Sequence, residues 1–198
     1  PRELSHGDDG SLKFEPLREL ESLRYDPLIL NDVVLTPPVE GYDTAAAIAH
    51  LDGDAFEVRI TVDRAEADRK RFGIQLFAEG ENEGLQIMMR PETGTLCVGE
   101  TEAPFAVTDL PEGEDLELRV FIDKYLVEVF VNGRQAAVCA YMAYRDGGNE
   151  MRTYLFGRRQ DTPPLKIRRV DIWKLRPTNE GFMEAKESRI WAPEIGHV

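Results

Sequence analysis

Short apolar runs with period-two alternation, separated by Gly, Pro, Asn and Asp, fill the sequence from Leu28 to Leu175. This pattern is typical of antiparallel strands, because successive side chains of a strand point to opposite faces of a sheet. Ten or more such runs exceed what one open sheet usually holds. We therefore predict an all-β fold, a two-sheet antiparallel β-sandwich of the jelly-roll or concanavalin-like kind. The predicted strands are Leu28–Leu35, Thr44–His50, Phe56–Val62, Arg71–Ala78, Gly84–Arg90, Thr95–Val98, Asp115–Asp123, Tyr125–Val131, Arg134–Tyr141, Met151–Phe156 and Lys166–Lys174.

The clearest local signal is the dipeptide Asn132-Gly133 between two apolar runs. Asn-Gly supplies the two positive φ angles of a type I′ turn, so a β-hairpin is predicted here. Alternation assigns Tyr125, Val127, Val129 and Val131 to one face and Leu126, Glu128 and Phe130 to the other. Glu128 is therefore expected among apolar neighbours.

Three segments stand outside the strand pattern: residues 1–27, residues 63–70 and residues 177–198. Residues 1–27 are predicted to be a connector and residues 177–198 a tail, and the sandwich is predicted to span residues 28–176. The charged stretch Asp63–Lys70 is expected to be a solvated loop or a single helical turn. Since the sequence starts at Pro1 and not at a methionine, we expect a piece of a longer protein.

Composition excludes several classes of function. The chain has 198 residues, a hydrophobic fraction of 42% and a net charge of −13, so it can bury a core, and its acidic balance repels a phosphate backbone. No apolar run approaches the roughly 18 residues of a membrane span. We therefore expect neither nucleic acid nor a membrane as a partner.

Motifs for metal, cofactor or nucleophile chemistry are not apparent. The three histidines His6, His50 and His197 are far apart, and neither Cys97 nor Cys139 lies near one of them, so no metal-ligand spacing is present. Each cysteine sits in an apolar run, where a free thiol acts as a small hydrophobe. No Gly-x-Ser-x-Gly elbow occurs. We expect no metal and no cofactor.

The run from Leu118 to Gly133 resembles a known pattern. It is similar to the C-terminal β-sandwich of glycoside hydrolase family 32, the invertases, levanases, inulinases and other β-fructosidases, whose members carry a run like Leu-Arg-x-Phe-x-Asp-x-Ser-x-x-Glu-x-Phe-x-Asn. The matching positions are Leu118, Arg119, Phe121, Asp123, Glu128, Phe130 and Asn132. The segments Pro1–Leu4, Pro16–Arg24 and Val170–Leu175 also agree. Tyr125 replaces the usual Ser, and the family's upstream Asp-Arg-Ser is absent.

The resemblance implies a non-catalytic accessory role. In this family the catalytic Asp and Glu residues lie in an N-terminal propeller, in motifs like Trp-x-Asn-Asp-Pro-Asn-Gly, Arg-Asp-Pro and Glu-Cys, and none of these occurs here. Retaining hydrolysis needs two carboxyl groups about 5 Å apart, and no motif marks such a pair. The implied partners are the propeller of the same protein, a sucrose-like or fructan carbohydrate, and a second copy in a homodimer.

Two interpretations of Asp123 and Glu128 remain open. They could form a sugar or metal site, or be ion-paired within the sandwich or at the propeller interface, with Arg119 or Arg134 as the cation for Glu128. We favour the ion-paired interpretation, because an unpaired carboxylate in an apolar setting is costly. The residues expected to be structural or at an interface are Arg119, Phe121, Asp123, Glu128, Phe130, Asn132 and Trp173.

Aromatic residues offer the remaining candidate sugar contacts. Tyr42 and Trp191 lie in turn-like contexts suited to stacking on a sugar ring, whereas Trp173 alternates with apolar strand residues and is expected in the core. An autonomous lectin-like carbohydrate-binding module is therefore the alternative function, and a small catalytic sandwich a third. The sequence leaves the compartment open between cytoplasm and secretion.

Overall fold

Two six-stranded antiparallel sheets form the body of the protein. The structure, a computed structural model, describes residues 2–7, 10–37, 45–144, 147–156 and 162–178. Within these ranges lie fourteen strands, two of which form a separate hairpin of β1 (Arg2–His6) and β2 (Leu12–Pro16). The predicted all-β, two-sheet sandwich is confirmed.

The first sheet carries the resemblance motif. In spatial order its strands are β12 (Gln135–Cys139), β11 (Leu126–Val131), β10 (Leu116–Asp123), β5 (Ala55–Val62), β14 (Leu165–Leu175) and β3 (Arg24–Leu35). Strands β3 and β12 are therefore the two edges. In the middle, β5 pairs with β10 on one side and with β14 on the other.

The second sheet is built around β6. Its strands in spatial order are β4 (Ala46–His50), β13 (Glu150–Leu155), β6 (Phe72–Ala78), β7 (Leu85–Arg90), β8 (Thr95–Val98) and β9 (Thr101–Pro104). The helical elements are α1 (Arg64–Arg69) and three 3-10 segments, Arg18–Leu23, Val107–Asp109 and Met142–Tyr144. None of the helices in the described ranges is long and apolar enough to span a membrane.

Alternation along the strands builds the core between the two sheets. On β5, Phe56, Val58, Ile60 and Val62 are all buried, and β10 and β11 present matching inward rows. Burying such side chains removes apolar surface from water, which is the main favourable contribution to folding. The alternate residues of these strands point outward, so the outer face of each sheet is chemically distinct from the core.

The predicted hairpin at Asn132-Gly133 is confirmed. Strands β11 and β12 pair, both turn residues have positive φ, 47° and 61°, and the Arg134 amide donates to the Val131 carbonyl at 2.9 Å. The assignment of faces also holds, because Val127, Val129 and Val131 are buried in the core. The two-residue Asn132-Gly133 turn sets the register of β11 with β12.

Three strands have no counterpart among the predicted ones. They are β1, β2 and β9. The short sequences of β1 and β9 lack a clear apolar alternation, whereas the brief alternation of β2, Leu12-Lys13-Phe14-Glu15, lies inside the predicted connector. Strand β3 begins at Arg24, inside the predicted connector. The helical-turn alternative for residues 63–70 is correct: α1 begins after Asp63, whose Oδ1 accepts from the Ala65 amide at 2.9 Å. Both cysteines are free thiols.

Candidate functional site

Four motif residues of β10 and β11 lie together on the outer face of the first sheet. Arg119 is the register partner of Phe130, and Phe121 that of Glu128. The rings of Phe121 and Phe130 meet edge to face, with centroids 6.0 Å apart, and the Arg119 guanidinium carbon lies 5.5 Å from the Phe121 ring centroid. Four positions of the resemblance motif thus form one contiguous cluster.

The N-terminal hairpin reaches this cluster through Arg2. Its Nε donates to Glu128 Oε1 at 2.7 Å, and its guanidinium carbon lies 5.6 Å from the centroid of the Phe130 ring. Arg119 and Arg134 pair with other carboxylates, so neither predicted cation is the partner of Glu128. The correct partner is 126 positions away in sequence, which local strand reasoning does not reach.

Glu57 is the centre of the outer face. Its side chain is fully buried, with 0% exposure, on β5 in the middle of the sheet. Arg24 donates from Nε and Nη2, each at 2.7 Å, and Arg119 donates from the same two nitrogens at 2.9 and 2.8 Å. Two guanidinium groups therefore share one carboxylate, as a buried charge requires.

The 3-10 segment joins the same network. Glu21 lies 3.2 Å from the Arg24 Nη2 and 3.5 Å from the Arg119 Nη2. Burial opposes the charged form of Arg24, but its hydrogen bonds to Glu57 and Glu21 outweigh that penalty and raise its pKa. The segment before β3 is thus fastened to the sheet by charge.

Asp171 forms a second buried ion cluster, on β14. Arg59 donates to its Oδ2 from Nη2 at 3.1 Å, and Arg169 donates from Nε at 2.8 Å to Oδ1. Burial alone would raise the pKa of Asp171, but the hydrogen bonds from Arg169 and Arg59 hold the pKa below its ordinary value. The carboxylate therefore stays ionised.

Trp173 lies between the two ion clusters and not in the core. Its ring centroid is 4.3 Å from the guanidinium carbon of Arg24 and 5.1 Å from that of Arg59, distances typical of cation–π contacts. The core position predicted for Trp173 is wrong. Since Ile172 points inward, alternation turns the next side chain outward.

Asn132 closes the β11–β12 turn. Its Oδ1 accepts from the Glu117 amide at 3.0 Å, and its Nδ2 donates to the Asp115 carbonyl at 2.8 Å. At Gly133 a Cβ atom would lie 2.9 Å from the Glu15 side chain, and the Phe14 amide donates to the Gly133 carbonyl at 3.0 Å. This turn thus supports the N-terminal hairpin.

The other candidate residues are not brought into the cluster. Asp123 is exposed at the end of β10. Tyr42 and Trp191, the tentative sugar contacts, lie outside the described residues. In the described part of the chain, no group of three or more His, Cys, Asp or Glu side chains is arranged to hold a metal ion.

Two central residues, Glu57 and Asp171, escaped sequence reasoning. Both are single acidic residues flanked by apolar neighbours within a strand, which is a usable signal, because such a charge needs a partner. The identity of the partners depends on strands β10, β5 and β14 being neighbours. That order is not encoded in any local pattern.

Comparison with known proteins identifies similar chains. A family model described as "Glycosyl hydrolases family 32 C terminal" matches residues 19–173. Raffinose invertase from Escherichia coli is 31% identical over 149 residues, which cover 70% of this chain and 27% of that protein. Sucrose-6-phosphate hydrolase from Escherichia coli is 25% identical over 158 residues, covering 77% and 30%. The chain thus spans less than a third of these relatives.

Solved structures share the fold. Fructan 1-exohydrolase IIa from Cichorium intybus superposes with a TM-score of 0.61 at 16% identity, covering 89% of this chain and 40% of that one. Sucrose-6-phosphate hydrolase from Lactobacillus gasseri gives a TM-score of 0.59 at 20% identity, covering 88% and 33%. At such identities the likeness concerns the fold alone.

We predict that Glu57→Ala destabilises the domain strongly. It leaves two arginines without their buried counter-charge, so the free energy of unfolding should fall by about 3–5 kcal/mol. The matched control is Glu92→Ala, which removes an exposed partner of Arg71 and should cost about 0–1 kcal/mol. Urea unfolding measures both, and equal losses would contradict the central role of Glu57.

We predict a pH-dependent contribution from Asp171. Its folded pKa is depressed, so its stabilisation is present above the unfolded pKa of about 3.9 and is lost as the pH falls through the folded value. The stability difference between wild type and Asp171→Asn should therefore shrink from pH 6 to pH 3. Thr61→Ala, which removes no ionisable group, should show a constant difference. A constant difference for Asp171→Asn would contradict the assignment.

Proposed function

The chain belongs to family 32 of the glycosyl hydrolases, as their C-terminal domain, and we propose that it is a non-catalytic accessory domain that stabilises the catalytic propeller of a β-fructosidase-like enzyme. The observation that carries this proposal is an apolar edge on β3. Four large side chains of this strand are exposed: Tyr25, Leu28, Ile29 and Val34.

An apolar edge strand is a surface that another domain can cover. Edge strands present unpaired amide and carbonyl groups, and proteins usually protect them with charge, irregularity or a covering element. Here β3 is twelve residues long and, among the described residues, pairs only with β14. Asp26 and Asp32 of β3 are exposed and each is paired with a lysine of β14, and the apolar Leu28 and Ile29 lie between them. Exposed apolar patches of this kind mark interaction sites. We assign this edge to the propeller, and a second copy of the chain is the alternative occupant.

The chemistry of the buried carboxylates argues against catalysis by this domain. Glu57 and Asp171 each accept hydrogen bonds from two arginines. A general acid for glycoside hydrolysis must hold a proton near neutral pH, which requires a raised pKa, whereas the pKa of Asp171 is lowered. We therefore assign a structural role to Glu57 and Asp171.

The substrate of the parent enzyme is proposed from its relatives. Those relatives are named a raffinose invertase, a sucrose-6-phosphate hydrolase and a fructan exohydrolase. We therefore propose that the parent enzyme hydrolyses a fructosyl bond of a sucrose-like or fructan carbohydrate, with the reacting groups supplied by the propeller.

The edge assignment predicts different effects at the two ends of the first sheet. In the enzyme that contains this domain, Ile29→Asp on β3 should lower the melting temperature of the catalytic domain by several degrees, because the charge would be buried in the contact. Val138→Asp on β12 is the matched control, since the two side chains have similar exposures of 47% and 42%. Calorimetry of the enzyme and of the 198-residue chain measures both variants.

Two results would contradict the proposal. One is an equal effect of Ile29→Asp and Val138→Asp on the catalytic domain, with the 198-residue chain itself unchanged. The other is release of fructose when that chain alone is incubated with sucrose, levan or inulin, which would show that it is catalytic. A concentration-dependent dimer that Ile29→Asp abolishes would instead assign the edge to a second copy.

A further inference from the structure

A polar groove of about 530 Å³ lies on the second sheet, remote from the arginine-rich face of the first. Its volume is within the range of about 300–1,000 Å³ that is typical of small-molecule sites. The residues that matter for its chemistry are Ala47, Gln75, Glu81, Glu83, Glu150 and Arg152. They come from β4, β6, β13 and the turn between β6 and β7.

Gln75 is the buried polar group of this groove. It is 1% exposed, and its Oε1 atom has no hydrogen-bond partner among the described residues. A buried acceptor left without a donor costs about 1–3 kcal/mol. In a native structure such a group calls for an explanation, and its place in the groove wall suggests a ligand that supplies the donor.

Backbone irregularities surround the same point. The register of β13 with β6 passes from Glu150–Ala78 to Arg152–Gln75, so β6 holds one extra residue there. On its other side, β13 passes from Met151–Ala49 to Arg152–Ala47, so β4 also holds one extra residue. Bulges re-aim side chains and are over-represented beside functional sites. Two of them flank Arg152.

The bulge on β6 is strained. Phe77 has a φ of 62°, a left-handed conformation that is rare for a bulky aromatic residue. Glycines permit this geometry: a Cβ at Gly84 would lie 2.0 Å from the Leu76 carbonyl oxygen, and one at Gly147 would lie 2.3 Å from that of Phe77. Strain of this kind is held where the surrounding structure enforces it, commonly at ligand sites.

The groups in the groove select a ligand rich in hydrogen-bond donors. Arg152 donates from Nε to Glu150 Oε2 at 2.7 Å and from Nη1 to the Gly80 carbonyl at 3.0 Å, so its guanidinium is engaged by the protein. Glu81 and Gln75 add acceptor oxygens, and Glu83 adds one more, because its Oε2 already accepts from the Gln86 side-chain amide. The excess of carboxylates disfavours an anion. Neutral hydroxyl groups satisfy carboxylate and amide acceptors without that penalty.

We propose that this groove binds one unit of a neutral saccharide, with sugar hydroxyls donating to Gln75 and to the free acceptor positions of Glu81 and Glu83. Ala47 leaves room for the ring above β4. The site is independent of propeller docking at β3, so failure of either proposal leaves the other standing.

The test is a titration of the 198-residue chain followed by ¹H–¹⁵N NMR. The probes are fructose, sucrose and an inulin oligosaccharide, with calcium chloride and spermidine as cationic alternatives. We expect saturable shifts of the Gln75 side-chain amide and of backbone amides near residues 80–83 and 152. No saturation with any of the sugars, shifts that map to another surface, or binding of the cations in place of the sugars would overturn the proposal.

Variants separate binding from stability. Gln75→Leu removes the unpartnered Oε1 atom, so the affinity for the sugar should fall at least tenfold while the melting temperature is unchanged or higher. Gln135→Leu is the matched control on β12, where the amide already donates to the Pro104 carbonyl, and it should keep wild-type affinity. Glu83→Gln, on the turn between β6 and β7, should also weaken sugar binding. It provides the test if the Gln75→Leu variant does not fold. Unchanged affinity in the folded Gln75→Leu variant, or in Glu83→Gln, would overturn the proposal.

Discussion

The buried charge of Glu57 is the constraint on which the outer face of the first sheet depends. Removing a carboxylate from water costs several kcal/mol, and only close, multiple hydrogen bonds offset that cost. Arg119 supplies two of them from the adjacent strand β10, whereas Arg24 reaches Glu57 from the start of β3, past Trp173 on the intervening strand β14. One carboxylate therefore joins the start of β3 to the middle of the sheet.

The two outer faces of the sandwich have different chemistry. On the first sheet the charges satisfy one another: Glu57, Asp171 and Glu128 each have arginine partners, and the apolar surface is left to the β3 edge. On the second sheet, the groove at Gln75 keeps an acceptor without a partner. The first arrangement suits a structural and docking role, and the second suits recognition of a small polar ligand.

Local sequence patterns were sufficient for eleven of the fourteen described strands and for the hairpin, since alternation and Asn132-Gly133 act over a few residues. The motif resemblance also placed Arg119 and Phe130 correctly in one region. Ion pairing was harder to predict, because Arg2 and Glu128 or Arg24 and Glu57 meet only after distant strands assemble. The role proposed for Gln75 as an acceptor in the groove was equally hard to predict, because it depends on two bulges that alternation alone does not reveal.

The central claim is that Glu57 fastens residues 18–24, the 3-10 segment and the start of β3, to the sheet. Native-state hydrogen exchange of wild type and Glu57→Gln tests this claim most directly. We expect amides of residues 18–35 to lose at least ten times more protection in the variant than amides of the core strands β6 and β7, whose protection falls only with the global stability. Uniform loss across all strands, or unchanged protection of residues 18–35, would contradict it.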